Sequence, residues 1–208
     1  MMTHTPSTVA GILLAAGAGS RFGSGVHPGS GVYPGGGKLL HPLEGVAISV
    51  HAARHMQAAG LAVTAVVRPG SDALVSLLQN EGVAVTVCAN AADGMGVSLA
   101  HVIAQTRGSA GWVVALADMP RIRPATIRKI ADAVHAGALI AAPAYRGERG
   151  HPVGFGVALR DELLACHGDE GARAVLKRHH TEIDLIAVDD PGVIFDIDRK
   201  EDLPSSPL

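Results

Sequence analysis

VAGILLAA, at residues 9–16, is the first of five short runs rich in Val, Ile, Leu and Ala. The other four are LAVTAVV (61–67), VAVTVCA (83–89), GWVVALA (111–117) and GALIAAP (137–143). Each run is continuously apolar rather than alternating, which is typical of strands that are covered on both faces. We therefore expect these runs to be strands of one buried sheet.

Helical patterns lie between the apolar runs. We predict a helix over residues 47–59, with Gly60 as its C-cap, and a second helix from Ser71 or Asp72 to about Asn80. Two further helices are predicted over 97–107 and over 124–135, the latter with Pro124 in its first turn. Regular alternation of strand and helix predicts an α/β fold, a Rossmann-like three-layer sandwich with a mostly parallel central sheet. Residues after 143 change rhythm, and we interpret them as an elaboration of that sheet.

Length and composition limit the kinds of protein that this chain could be. Its 208 residues predict a single domain with a core over 9–203, interrupted by a Gly-rich insertion at 23–37 that we expect to be flexible. The net charge of −2 argues against a nucleic-acid or membrane-surface partner. Cys88 and Cys166 fall in no metal-binding spacing, and no signal peptide or membrane span is apparent, so we expect a cytoplasmic protein.

The turn after the first run carries the strongest functional pattern. ILLAAGAGSRFG (12–23) is followed by GGKLL (36–40), so glycines at the end of a buried strand precede Arg21 and Lys38. Backbone amides at glycines can approach a phosphate closely, and the two cations could neutralise a polyphosphate. The spacing fits neither the dinucleotide fingerprint nor a P-loop. We interpret it as a different kind of nucleotide-phosphate loop, with a plain surface turn as the alternative.

A carboxylate stands at the end of another apolar run, in ALADMP (115–120). Asp118 needs a cationic partner there, and Mg²⁺ prefers carboxylate and phosphate oxygens. The alternative is that Asp118 caps the helix beginning near Pro124. Asp196 and Asp198 could complete a metal site, because alternation along an extended segment places both side chains on one face.

A third strand-to-helix turn, ANAADGMGVSL (89–99), offers polar groups beside glycines. Asn90 and Ser98 could form hydrogen bonds with a ligand, and Gly94 and Gly96 could open the backbone to it. A helix that simply begins with glycines is an equally good interpretation of this segment.

Six motifs in order resemble a known enzyme family. They are LLAAGAGSRFG with Lys38, NAADGMGVSL, LADMP, PAYRGERGHPVGF, GDEGAR and DDPGVIFDIDRKEDL. Together they resemble the nucleotidyltransferases of molybdenum cofactor biosynthesis, particularly the molybdenum cofactor cytidylyltransferases, over residues 9–203. The chain departs from the family pattern in the 14 residues between Gly23 and Lys38, and in Arg199-Lys200 after the last aspartates.

This resemblance implies a nucleotidyltransferase-type fold and a reaction. CMP would pass from CTP to the terminal phosphate of a molybdopterin-type cofactor with release of pyrophosphate, and a molybdoenzyme could receive the product. The resemblance implies that Arg21, Lys38 and Asp118 are catalytic, and that Asp118, Asp196 and Asp198 hold Mg²⁺. It places the nucleotide on Leu14, Ala15, Ala16, Gly17, Gly19, Ser20, Arg21, Lys38, Asn90, Ser98 and Asp118.

The resemblance also bears on the acceptor and on the base. It implies acceptor contacts from Arg149, His151, Asp169 and Arg173, although Asp169 could instead cap a helix. Cytidylyl members tend to carry LAAG at the first turn and guanylyl members LAGG, so Ala16 favours CTP.

Three other functions stay open at this level. They are a guanylyltransferase of the same pathway, another small-molecule NTP transferase such as one acting on sugar phosphates, and a non-catalytic chaperone that loads the cofactor. The RGHP and GDEGAR motifs argue against a sugar-phosphate enzyme. The full set of charged residues argues against the chaperone, because binding alone would not need it.

Overall fold

The structure is a computed structural model that describes residues 8–17 and 37–203. Its ten strands within those ranges are numbered in chain order. They are β1 (Val9–Leu14), β2 (Pro42–Leu43), β3 (Val46–Ala47), β4 (Ala62–Val67), β5 (Ala84–Val87), β6 (Gly111–Leu116), β7 (Ile140–Tyr145), β8 (Glu148–Arg149), β9 (Val153–Gly156) and β10 (Ile183–Ala187). All five predicted apolar runs contain a strand.

Six α-helices lie in the described part of the chain. They are α1 (Ile48–Ala58), α2 (Asp72–Asn80), α3 (Met95–Gln105), α4 (Pro124–His135), α5 (Arg160–Leu164) and α6 (Arg173–Arg178). The predicted boundaries of α2 and α4 are confirmed, and Pro124 is the first residue of α4. None of the described helices combines the length and the apolar character needed to cross a membrane.

The main sheet has the order β10-β7-β9-β6-β1-β4-β5, and the short strand β8 also pairs with β7. Strand β1 lies parallel between β4 and β6, and β4 pairs in parallel with β5. Strand β9 is antiparallel and inserts between β6 and β7, and β8 also pairs antiparallel with β7. This arrangement confirms the predicted α/β fold with a mostly parallel central sheet.

Two apolar layers cover the sheet, one on each face. Helices α1, α2 and α4 pack on the first face, where Leu13 and Val113 point. Helices α3, α5 and α6 pack on the second face, where Ile12 and Trp112 point. Neighbouring residues of one strand are thus buried on opposite faces, which is why the strands have no polar alternation.

The polar segment after β7 is more ordered than a simple loop. Strands β7 and β8 pair as a hairpin through Tyr145 and Glu148, with the tight turn at Arg146 and Gly147. Strand β9 ends at Gly156, and the chain continues directly as a short 3₁₀ helix, Val157–Leu159. This region extends the sheet, as the sequence predicts.

Candidate active site

The candidate site lies where β1 and β6 end side by side. Leu14 and Leu116 are register partners, and the Ala117 N–H donates to the Leu14 carbonyl at 3.1 Å. On the other side of β1, the Ala15 N–H donates to the Val66 carbonyl at 2.9 Å. The chain runs from β1 to β4 and β5 on one side and then returns to β6 on the other side of β1, and open α/β sheets bind ligands at such a switch point.

A cavity of about 970 Å³ opens at this edge of the sheet. Residues 14–17, 37–40 and 68–74 form three sections of its lining. The remaining lining residues are Ala89, Ala91, Ala92, Gly94, Met95, Ser98, Leu116, Asp118 and Asp169. The volume is that of a pocket for a nucleotide-sized ligand.

Three carboxylates meet beside this cavity. One oxygen from each of Asp118, Asp196 and Asp198 lies within 4.8 Å of the others. The Ile197 N–H donates to the Asp118 carbonyl at 3.0 Å, and the fully buried Ile197 side chain packs with Leu43 and Ile48. Because Ile197 is anchored inward, the aspartates on either side of it face Asp118, as the predicted alternation requires.

A buried aspartate fixes the segment that carries Asp196 and Asp198. Asp190 is 2% exposed, and its Oδ2 accepts hydrogen bonds from the Arg123 N–H at 2.9 Å and the Thr126 hydroxyl at 2.7 Å. Its Oδ1 accepts from the Gly192 N–H at 3.1 Å. Asp190, rather than Asp118, therefore contacts the beginning of α4, which leaves the Asp118 carboxylate available to the site.

Lys38 bridges two of the three carboxylates. Its ammonium donates to Asp118 Oδ2 at 2.7 Å and to Asp198 Oδ1 at 2.9 Å. Burial alone would lower the pKa of Lys38, but the hydrogen bonds and charges of the two carboxylates outweigh that effect and raise it above its usual value. Lys38 is therefore a fully charged, buried cation in this state.

The cluster still holds more negative charge than Lys38 balances. Asp118 Oδ1 is buried and has no hydrogen-bond partner among residues 8–17 and 37–203. Burial, followed by the charges of Asp198 and Asp118, raises the pKa of Asp196. An unsatisfied carboxylate oxygen in an all-carboxylate donor set suits a hard divalent cation, so the residues fit a Mg²⁺ or Mn²⁺ ion.

His151 lies in the electrostatic field of the same site. Burial first, then the charges of Arg149 and Arg173, lower its pKa to about 4, while Asp118 opposes the shift. The Nδ1 atom of its ring is buried without a hydrogen-bond partner in the described ranges, and its backbone N–H donates to the Val193 carbonyl at 2.8 Å. Arg149 and Arg173 are both exposed. The structure thus places the predicted acceptor residues Arg149 and Arg173 close enough to act on His151, which also feels the charge of Asp118, with the imidazole neutral at pH 7.

The segment around Asp169 packs on the start of α3. The Gly96 N–H donates to the Gly168 carbonyl at 2.8 Å, and a Cβ on Gly94 would lie 2.2 Å from the Gly168 carbonyl carbon. Gly94 and Gly96 therefore admit this segment of the chain, and Gly94 also lines the cavity, whereas Gly96 is not among its described lining residues. Asp169 lines the cavity and does not cap α6, whose N-cap residue is Ala172.

The other predicted nucleotide contacts divide into three groups. Leu14, Ala15, Ala16, Gly17 and Ser98 all line the cavity, and Ser98 is 3% exposed. Asn90 is exposed and absent from the described residues that line the cavity. Gly19, Ser20 and Arg21 lie outside the described residues, as does the 23–37 insertion apart from Gly37.

The residues that line the cavity directly after β4 were not predicted from the sequence. Arg68, Pro69, Gly70 and Ser71 follow that strand directly and face the cavity with the start of α2. The exposed Arg68 is a further cation at this edge. The detectable signal is positional, because these residues follow a buried strand that neighbours β1, and carboxyl ends of parallel strands share one edge.

Comparison with known proteins gives a family. The model of the MobA-like NTP transferase domain matches residues 11–183. Nicotine blue oxidoreductase of Paenarthrobacter nicotinovorans is 29% identical over 204 residues, covering 94% of each chain.

Solved structures agree with this fold. Rv0371c of Mycobacterium tuberculosis is 25% identical with a TM-score of 0.78, and the match covers 94% of this chain and 95% of that protein. The complex of Rv0371c with manganese superposes with a TM-score of 0.73, and the match covers 94% of this chain and 96% of that protein. A nucleotidyl transferase from Methanothermobacter thermautotroptrophicus, 22% identical, has a TM-score of 0.76 and covers 94% of both chains. With the family model spanning most of its length, the chain belongs to the MobA-like NTP transferase domain family and has the fold of the nucleotidyltransferases.

Proposed function

We propose that this chain is a magnesium-dependent cytidylyltransferase. It transfers CMP from CTP to the terminal phosphate of a molybdopterin-type cofactor and releases pyrophosphate, and a recipient molybdoenzyme takes up the product. The observation that carries the proposal is the cluster of Asp118, Asp196 and Asp198, which meets Lys38 beside the cavity-lining turn at residues 14–17. Such an arrangement suits a polyphosphate and its metal better than any other ligand class.

The metal site of this proposal consists of Asp118, Asp196 and Asp198. A divalent cation bound there supplies positive charge against the phosphates and stabilises the leaving pyrophosphate. Support comes from the unpartnered Asp118 Oδ1 among the described residues, and from the manganese complex of the similar protein Rv0371c.

The chain's own groups position the nucleotide. Backbone at Ala15 to Gly17 lines the cavity, and Gly17 has free space where a Cβ would stand, with nothing described within 4 Å. Lys38 brings a positive charge to the same cavity, and we propose Arg21 as a second one. The acceptor phosphate is ionised at neutral pH, so orientation and charge neutralisation are enough, and no side-chain base is required.

The choice of base rests on Ala16. Its half-buried methyl group lines the cavity at the end of β1, where it narrows the space available to a base. A pyrimidine fits this narrower space better than a purine, which favours CTP over GTP. Asn90 and Ser98 are proposed to contact the base or the sugar.

The acceptor side rests on Arg149, His151, Asp169 and Arg173. Arginines suit a dianionic phosphate, since the guanidinium donates two parallel hydrogen bonds. His151 is neutral at pH 7 because its pKa is lowered to about 4, so it contributes hydrogen bonds rather than charge.

The test is release of pyrophosphate from CTP in the presence of Mg²⁺ and molybdopterin, with transfer of the α-phosphate label to the pterin. Asp118→Asn should lower turnover at least roughly 100-fold while the fold is retained, because even outer partners of a metal site are worth about 10–100-fold. Asp132→Asn, an exposed change on α4, is the matched control. Binding of CTP by the wild type without pyrophosphate release would favour the cofactor-loading chaperone, and near-normal turnover by Asp118→Asn would refute the metal site.

A second candidate is a redox reaction like that named for the full-length relative, nicotine blue oxidoreductase. The same cavity would then hold a nucleotide cofactor instead of a nucleotide substrate. This alternative predicts oxidation or reduction of nicotine blue in the presence of an added electron carrier, at a rate that Asp118→Asn leaves unchanged. Loss of turnover in that variant, together with pyrophosphate release from CTP, would exclude it.

A further inference from the structure

Lys38 uses the same carboxylates that a divalent cation would use. Its ammonium lies 2.7 Å from Asp118 Oδ2 and 2.9 Å from Asp198 Oδ1, and its side chain is only 9% exposed. Water screens the attraction between Lys38 and the partly buried Asp118 less than it would between exposed charges. A cation bound by the same two aspartates would meet strong repulsion from the ammonium, so the two compete.

Lys38 satisfies the cluster only in part. One ammonium faces three carboxylates whose nearest oxygens lie within 4.8 Å of one another. Asp118 Oδ1 stays buried without a partner in the described part of the chain. The Asp118 carboxylate therefore keeps one oxygen that a divalent cation could take.

The Lys38 backbone is held in place, so a change of partner involves the side chain. The 3₁₀ helix Lys38–Leu40 is closed by hydrogen bonds from the Leu40 N–H to the Gly37 carbonyl and from the His41 N–H to the Lys38 carbonyl. The Ser49 hydroxyl also donates to the Leu39 carbonyl at 2.8 Å. Lys38 lines the cavity with residues 14–17, so rotation of its flexible stem keeps the ammonium within the proposed phosphate region.

We propose that Lys38 is an internal counter-ion: it holds the carboxylate cluster while no metal is bound, and it turns to the nucleotide phosphates when a divalent cation takes its place. Cation and nucleoside triphosphate then bind with positive cooperativity, because the phosphates stabilise the Lys38 position that the cation requires. This inference rests on the proposed function, since it assigns the metal to the same cluster.

The direct test is Mn²⁺ binding by the chelator-treated protein without nucleotide, followed through the electron paramagnetic resonance signal of free Mn²⁺. Lys38→Met removes the competing charge, so it should bind Mn²⁺ about tenfold more tightly than the wild type, within the usual range of coupling between sites. Lys129→Met, an exposed change of the same kind on α4, should stay within about twofold of the wild type. Unchanged or weaker Mn²⁺ binding by Lys38→Met would overturn the proposal.

Two further measurements guard against a variant that folds poorly. Without metal, Lys38→Met should unfold at a lower temperature than the wild type, and Mn²⁺ should raise its Tm by more, because a ligand stabilises in proportion to its affinity. Lys38→Gln should behave in the same way. Equal gains in Tm for the wild type and both variants would count against the counter-ion.

The nucleotide arm measures the coupling itself. Saturating CTP should increase the Mn²⁺ affinity of the wild type by a larger factor than that of Lys38→Met, and an equal factor would contradict the proposal. These measurements need no acceptor. If the wild type shows this coupling but releases no pyrophosphate, the proposed function is wrong and the counter-ion role stands. If the wild type turns over fully but Lys38→Met leaves Mn²⁺ binding unchanged, the counter-ion role is wrong and the proposed function stands.

Discussion

Replacing His151 with Gln should remove a large part of the pH dependence of stability. The pKa of His151 is lowered from its usual 6.5 to about 4, first by burial and then by Arg149. The unfolded chain therefore binds a proton at this site between about pH 6.5 and pH 4, whereas the folded chain does not. Stability from this group is complete above pH 6.5 and is lost as the pH falls toward 4.

The size of the effect follows from these two pKa values. At pH 5, protonation of this imidazole shifts the folding equilibrium toward the unfolded state by a factor of about 30, which corresponds to a loss of about 2 kcal/mol in the free energy of unfolding. At pH 4 the same calculation gives about 3 kcal/mol. Other groups also titrate in this range, so the quantity to compare is the change in the free energy of unfolding from pH 7.5 to pH 5, variant against wild type.

Urea denaturation in the presence of a chelator measures this quantity. His151→Gln should lose about 2 kcal/mol less than the wild type between pH 7.5 and pH 5. His180→Gln, an exposed change, reports the general effect of the substitution. Parallel pH profiles for the wild type and His151→Gln would refute the argument that burial keeps this imidazole neutral.

Three further changes test the base pocket and the supports of the site. Ala16→Gly should raise the use of GTP relative to CTP by at least about tenfold in the pyrophosphate assay, and an unchanged ratio would contradict the proposed role of the methyl group. Gly96→Ala places a Cβ 2.5 Å from the His167 carbonyl oxygen and should destabilise by about 1–3 kcal/mol in urea, whereas Gly108→Ala, with nothing described within 4 Å, should not. Asp190→Ala removes three hydrogen bonds, so it should lower the free energy of unfolding by about 3 kcal/mol and weaken Mn²⁺ binding. The exposed Asp189→Ala should do neither. Equal stability or Mn²⁺ affinity within either pair would refute the corresponding argument.

The strands were predictable because their pattern is local. A strand buried on both faces must be apolar at every position, so VAGILLAA and GWVVALA show it without knowledge of their neighbours. The start of α3 was less predictable. It begins at Met95 rather than Val97, and the Gly96 N–H bonds to Gly168, a residue far along the chain. Glycine has a low helix propensity, and only that distant partner explains a helix starting there.

Parts of the candidate site were predictable, namely those where the alternation of side chains along an extended segment, or the order of the strands, decides where a residue lies. Asp196 and Asp198 approach Asp118 as expected, because Ile197 between them is buried. The pairing of Lys38 with these aspartates was not expected, since the contacts span 80 and 160 residues of sequence. Arg68 was missed because an exposed RPGS segment has no motif, and only the sheet order places it at the cavity.

The near-neutral charge of the chain limits how it can bind a polyanion. A net charge of −2 gives no general attraction for phosphates, and the three carboxylates at the site would repel them. Lys38 leaves the buried Asp118 Oδ1 without a partner in the described part of the chain, so a divalent cation bound there would make the cluster less repulsive to a triphosphate. The cation therefore does more than assist the chemistry: its two positive charges offset the negative charge of the cluster where β1 and β6 end, and under the proposed exchange it frees the Lys38 ammonium to add its charge on the phosphate side. Anion binding in this protein thus depends on a local exchange of cations rather than on a basic surface.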